Sequence, residues 1–165
     1  MYPSQFEYLK PSSVQEAVTL LASNPDAKLL AGGHSLIPAM KLRLSAPSAL
    51  VDLGGVSGLN TISVGNGATI GALTTYKQLL DNADLKGPFP IIAETANKVG
   101  DPHVRNRGTL GGSLAHSDPA ADFTAVMLAL DASVKAIGSG GERSITLDDL
   151  FVDLFTTSLE ADEII

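Results

Sequence analysis

The sequence predicts an α+β fold in two lobes, a small parallel β-α-β-α-β unit over residues 1–57 and an antiparallel lobe with helices over 58–165. Three observations carry that expectation. Apolar runs at 6–9, 28–31 and 49–53 alternate with two helical patterns, the order that builds parallel strands. Gly65-Asn66-Gly67 separates TISV from ATIGA, as in a hairpin. Runs near 132–137 and 143–146 form a second strand pair.

Taken in order, FEYL (6–9) is a short strand running into Pro11. Ser13 and Glu16 make a capping box ahead of Val14, Ala17, Val18 and Leu21, which share one helical face and precede the stop Asn24-Pro25-Asp26. KLLA (28–31) reads as a buried strand that ends at Gly32-Gly33, and SLIPAMKLRL as a short helix. The run from Ala49 to Leu53 closes at Gly54-Gly55. After the hairpin, helices are expected at 74–81 and 88–99, the second with Ile92, Ala96 and Val99 on one face. A further helix is expected from Pro119 to about Leu130, with Asp118 as N-cap and Pro119 at its first position. The tail SLEADEII finishes on what reads as the first residues of a strand, so the chain is expected to continue into a further domain.

Composition narrows function. A net charge of -7 over 165 residues, with scattered Lys and Arg, excludes a nucleic-acid-binding surface. There is no cysteine, which removes disulfides, thiolate metal sites, Cys-ligated clusters and cysteine nucleophiles. His34, His103 and His116 follow no metal-ligand spacing, so no metal site is expected. The first residues lack the basic and apolar stretches of a signal peptide, and AVMLAL (125–130) is too short to cross a bilayer. The chain reads as soluble and cytoplasmic.

Two glycine pairs carry the chemistry. A strand that stops at Gly32-Gly33 and passes into a helix can point backbone N–H groups at an anion. Neither a Walker A loop nor G-x-G-x-x-G is present. The second pair, Gly111-Gly112, lies in RGTLGGS between Thr109 and Ser113, with His116 and Asp122 beyond it. For either pair alone, a tight turn in which glycine serves only the backbone accounts for the residues as well. Two phosphate-ready loops on two lobes together suit a dinucleotide. Asp122 either complements a helix dipole or accepts hydrogen bonds from sugar hydroxyls.

AGGHSLIPAMKLRL, TIGALTTY (69–76) and RNRGTLGGSLAHSDPAAD (105–122) resemble the flavin-binding medium subunit of molybdenum hydroxylases, the family of carbon monoxide and xanthine dehydrogenases. The resemblance implies a two-lobed FAD-binding fold similar to vanillyl-alcohol oxidase, normally followed by a C-terminal domain. It implies FAD bound by Leu29, Leu30, Ala31, Gly32, Gly33, His34, Ser35 and Leu36, and by Thr109, Gly111, Gly112, Ser113, His116 and Asp122. Ser113 stands where many relatives have Asn. Some related oxidases attach FAD covalently to a histidine in a Gly-Gly-His context, but the other motifs match the noncovalent branch. The implied partners are a [2Fe-2S] small subunit and a molybdopterin large subunit, with NAD, quinone or oxygen as acceptor and no catalytic acid–base pair on this chain. A flavin links one-electron clusters to a two-electron acceptor, and a chain without cysteine leaves those clusters to a partner. A self-contained flavin oxidase and a non-catalytic nucleotide-binding module are the competing expectations.

Overall fold

The computed structural model describes residues 2–165. Three strands, β1 (Glu7–Leu9), β2 (Lys28–Leu30) and β3 (Ala49–Asp52), form a parallel sheet of order β1-β3-β2. The register sets Tyr8 against Leu50 and Leu29 against Val51. Strand β3 is central and its Ala49, Leu50 and Val51 are buried, whereas β2 is an edge and only half covered. That corrects the expectation of a buried strand at 28–31: Leu29 and Ala31 border a cleft.

Helix α1 (Val14–Ser23) follows β1 and buries Ala17, Val18 and Leu21. The expected capping box forms only by half. The Ser13 hydroxyl accepts from Glu16 N, but the Glu16 carboxylate reaches past Ser13 to accept from the backbone and hydroxyl of Ser12, each at 2.8 Å. Helix α2 (Leu36–Lys41) is shorter than its sequence pattern. It stops because Arg43 adopts a left-handed conformation (φ 63°) that its side chain secures through Tyr2 O and Ser4 Oγ.

The second half opens with the expected hairpin, β4 (Ile62–Val64) against β5 (Ala68–Ile70). Helices α3 (Tyr76–Asp81), α4 (Ala83–Lys86) and α5 (Pro90–Lys98) follow, then α6 (Pro102–Arg107) and α7 (Leu110–His116). The second glycine pair therefore lies in the first turn of a helix, not in a loop. Helix α8 (Asp122–Ala129) begins later than expected, with Ala121 rather than Asp118 at its N-cap. Asp118 instead closes a turn, accepting from Ala120 N at 2.9 Å. Strands β6 (Ser133–Gly138) and β7 (Gly141–Thr146) pair antiparallel as expected. A short helix α9 (Leu147–Leu150) and a small hairpin, β8 (Phe151–Asp153) with β9 (Thr156–Thr157), were not foreseen.

Buried apolar side chains gather in two clusters. One surrounds Leu79, Leu85, Ile92, Phe123, Leu147 and Leu150. The other, under the parallel sheet, holds Ala17, Val18, Val51 and Leu53, and also Ile164. The tail reaches it because Ile164 and Ile137 exchange backbone hydrogen bonds at 2.8 and 2.9 Å. Burying each such side chain contributes about 1.5–3 kcal/mol, so Ile164 fastens the tail between the two halves. No helix among the described residues is long and apolar enough to cross a membrane.

Candidate functional site

A cleft of about 980 Å³ runs between the two halves. Its wall includes Leu29, Ala31, Gly32, Gly33, His34, Ser35 and Leu36 from one side, and Thr109, Gly111, Gly112, Ser113, His116 and Asp122 from the other. Of the sequence-derived candidates, only Leu30 falls outside the lining. A second concavity, of about 510 Å³ beside Gln5, Pro25 and Pro47, contains none of them.

What fills the space that the glycines leave open is the protein itself. A Cβ at Gly32 would collide with the carbonyl of Arg107, so this glycine lets the end of β2 touch the end of α6. At Gly33 the backbone is left-handed (φ 74°), and the Ile37 side chain lies 2.7 Å from where a Cβ would sit. A Cβ at Gly111 would strike Ala72, and one at Gly112 would come 2.6 Å from Thr109 Oγ1. The backbone-only account of each pair is thus sufficient for its glycines.

The two segments differ in their N–H groups. Among the described residues, the amides of Gly32, Gly33, His34 and Ser35 donate to no other protein group. Those at 110–113 are engaged: Leu110 N donates to Thr74 O at 3.0 Å and Gly111 N to Ala72 O at 2.9 Å. Gly112 N donates to Thr109 Oγ1 at 3.2 Å, and Ser113 N to Thr109 O at 3.0 Å. The first segment thus offers four free amides to an anion, whereas in the second only that of Thr109 lacks a protein partner among the described residues, so the two glycine segments differ as anion sites. The second offers side chains, the Ser113 hydroxyl and the Asp122 carboxylate.

Neighbouring charges follow the same division. Asp101 caps α6, accepting from His103 N at 2.7 Å and Val104 N at 3.0 Å. The Val104 amide, more than any other neighbour, holds its carboxyl below the usual range, with His103 and His34 adding to it. Arg105 donates to Val99 O and Gly100 O at the end of α5, and neither it nor Arg107 is in an ion pair among the described residues. The His116 ring lies against Phe155, with centroids 5.2 Å apart, and not in a hydrogen bond.

Among the cleft residues that sequence reasoning passed over are its aromatic side chains, Tyr76, Phe123 and Phe155. Tyr76 and Phe123 stack with centroids 4.9 Å apart. A signal for the first was available: Thr75 and Gln78 form a full capping box that fixes Tyr76 as the first residue of α3.

Residues 4–165 match the family described as the FAD binding domain in molybdopterin dehydrogenase. The chain belongs to that family. FAD is accordingly its cofactor, and the cleft fits the role, with free amides on one wall and hydroxyl and carboxylate groups on the other. The chain is 42% identical over 159 residues to the nicotine 6-hydroxylase medium subunit of Paenarthrobacter nicotinovorans, covering 96% of this chain and 56% of that one. It is 42% identical over 166 residues to the carbon monoxide dehydrogenase medium chain of Hydrogenophaga pseudoflava, covering 99% of this chain and 58% of the relative. A solved carbon monoxide dehydrogenase from Hydrogenophaga pseudoflava superposes with a TM-score of 0.96 at 43% identity, over 99% of this chain and 58% of the other. Quinoline 2-oxidoreductase from Pseudomonas putida 86 gives 0.96 at 40% identity, again over 99% and 58%. This FAD-binding domain therefore spans little more than half the length of the proteins it matches.

Proposed function

We propose that the protein carrying this domain is the electron-transfer subunit of a cytoplasmic molybdenum-containing hydroxylase or dehydrogenase. It would take electrons from [2Fe-2S] clusters on a small subunit and pass them to NAD, quinone or oxygen, while a molybdopterin large subunit oxidises the substrate. Residues 1–57 and 58–165 act as its two FAD-holding lobes. The observation that carries the reading is the cleft: unpartnered amides at Gly32–Ser35 face a wall bearing Ser113 and Asp122.

The free amides hold the pyrophosphate, since donors without internal partners gain a charge-assisted bond at no cost to the fold. Ser113 and Asp122 orient hydroxyls of the sugar-like chain, and Leu29, Leu36, Phe123 and Phe155 exclude water from apolar parts of the ligand. Bound flavin supplies the exchange between one-electron and two-electron carriers. These 165 residues hold no cysteine for a cluster, which supports a relay in which electrons reach the flavin from clusters outside this domain. Relatives named for nicotine and for carbon monoxide match this domain equally well, at 42% each, which supports placing substrate choice on another subunit.

Stopped-flow absorbance of the full natural chain, loaded with FAD, tests the relay. Purines, aldehydes, N-heterocycles and carbon monoxide should leave the flavin oxidised until cluster-bearing and molybdenum-bearing partners are added. Rapid bleaching by any of them alone would identify a self-contained oxidase instead.

A further inference from the structure

Tyr76 belongs to neither glycine pair, yet it lines the same cleft. Its ring is held on two sides. One face stacks on Phe123 with an interplanar angle of 20°, and its Cε2 lies 2.5 Å from where a Cβ at Gly108 would be. Its backbone N donates to Gly108 O at 3.0 Å. The residue is only 9% exposed and lines the cleft, with Ser113 within hydrogen-bonding reach of its hydroxyl. A buried phenol has few rotamers to lose and a hydroxyl that needs a partner.

We propose that Tyr76 is a further ligand-contacting residue, donating its phenolic hydrogen bond to a hydroxyl of the cofactor's ribityl chain beside Ser113 and Asp122. The inference rests on the FAD reading above and names which part of the ligand this wall recognises. A carboxylate next to the phenol disfavours a phosphate there, so the anion belongs to the amides of Gly32–Ser35 and the neutral polyol to this wall. Burial pushes the Tyr76 pKa up, Ser113 opposes the rise and the charge of Asp122 adds to it, so the phenol keeps its proton and acts as a donor. Carboxylate, serine hydroxyl and phenol together supply acceptor, donor-acceptor and donor, which is the complement of adjacent alcohols.

Tyr76→Phe keeps the ring, the stacking and the packing on Gly108, and removes only the O–H. Wild type and variant, as the full natural chain freed of flavin, are titrated with FAD and with an FAD analogue lacking the ribityl hydroxyls. The variant should bind FAD about five- to tenfold more weakly and bind the analogue as wild type does. Equal FAD affinities for the two proteins, or a loss of the same size for both ligands, would overturn the proposal. A folding defect falls in the second class. Failure of the wild type itself to bind FAD is a separate outcome, which would remove the functional reading and this inference with it.

Discussion

The two glycine segments look alike in sequence and do different work in the fold. In both, glycine is present because another piece of the chain occupies the space: the Arg107 carbonyl at Gly32, Ala72 at Gly111. They part company at the amides. Residues 32–35 follow an edge strand and precede a helix of six residues, so their N–H groups have no ladder or helical turn behind them to donate to. Residues 110–113 open a helix whose first turn abuts the 72–74 segment, and carbonyls of Ala72 and Thr74 take two of the orphan donors. A glycine pair therefore marks close backbone approach, and only the hydrogen-bond inventory distinguishes approach to a ligand from approach to the chain itself.

The largest effect is expected from Gly32→Ala. The obstacle is a backbone carbonyl that cannot rotate away, so stability should fall by about 3 kcal/mol, read as a lower midpoint in chemical denaturation. A variant of wild-type stability would show that the space at Gly32 is not filled by Arg107 and would break the comparison. Gly33→Ala should be milder, about 1.5 kcal/mol, because the left-handed backbone is strained while the Ile37 side chain can move. Its FAD affinity should fall further than its stability predicts, since the strain lies within the free amides. Thr109→Ala removes the N-cap of α7 and should cost about 1 kcal/mol in thermal or denaturant unfolding. A larger stability loss from Thr109→Ala than from Gly32→Ala would reverse the assigned roles.

The smallest effect lies outside both segments, where the tail closes over the cleft. Arg143 grips Glu163 with two hydrogen bonds of 2.7 Å and also donates to Ser158 O at 2.8 Å. Arg143 is the main cause of the depressed Glu163 pKa, with burial opposing it. A depressed carboxylate pKa means that the folded state binds its proton less readily than the unfolded state. The contribution is therefore complete above the ordinary glutamate range and lost as pH falls through the lower folded value. Glu163→Gln should lower the melting temperature slightly at neutral pH, and the gap from wild type should close on acidification.

What was legible in the sequence was local. Turn chemistry at Gly65-Asn66-Gly67 and the periodic face of α1 depend on neighbours, and both appear as read. The first-segment stretch was legible as a motif, and it lines the cleft apart from Leu30. Two Asp-Pro pairs show where local signals fail. Asp101-Pro102 starts α6, with Asp101 capping it, whereas the identical pair at 118–119 makes only a turn. The difference is tertiary: α8 seats Phe123, Thr124 and Met127 in the core, and the left-handed Ser117 (φ 51°) that ends α7 directly precedes the second pair. The fate of the second segment's amides was equally hidden, because their partners at 72 and 74 are remote in sequence.

Amide hydrogen exchange on the full natural chain, with and without FAD, tests the division most directly. Without ligand, the amides of Gly32, Gly33, His34 and Ser35 should exchange rapidly, and those of Leu110 and Gly111 should already be protected. Adding FAD should slow exchange at residues 32–35 and leave residues 110 and 111 as they were. Protection that appears at 110–113 while 32–35 continue to exchange freely would contradict the account.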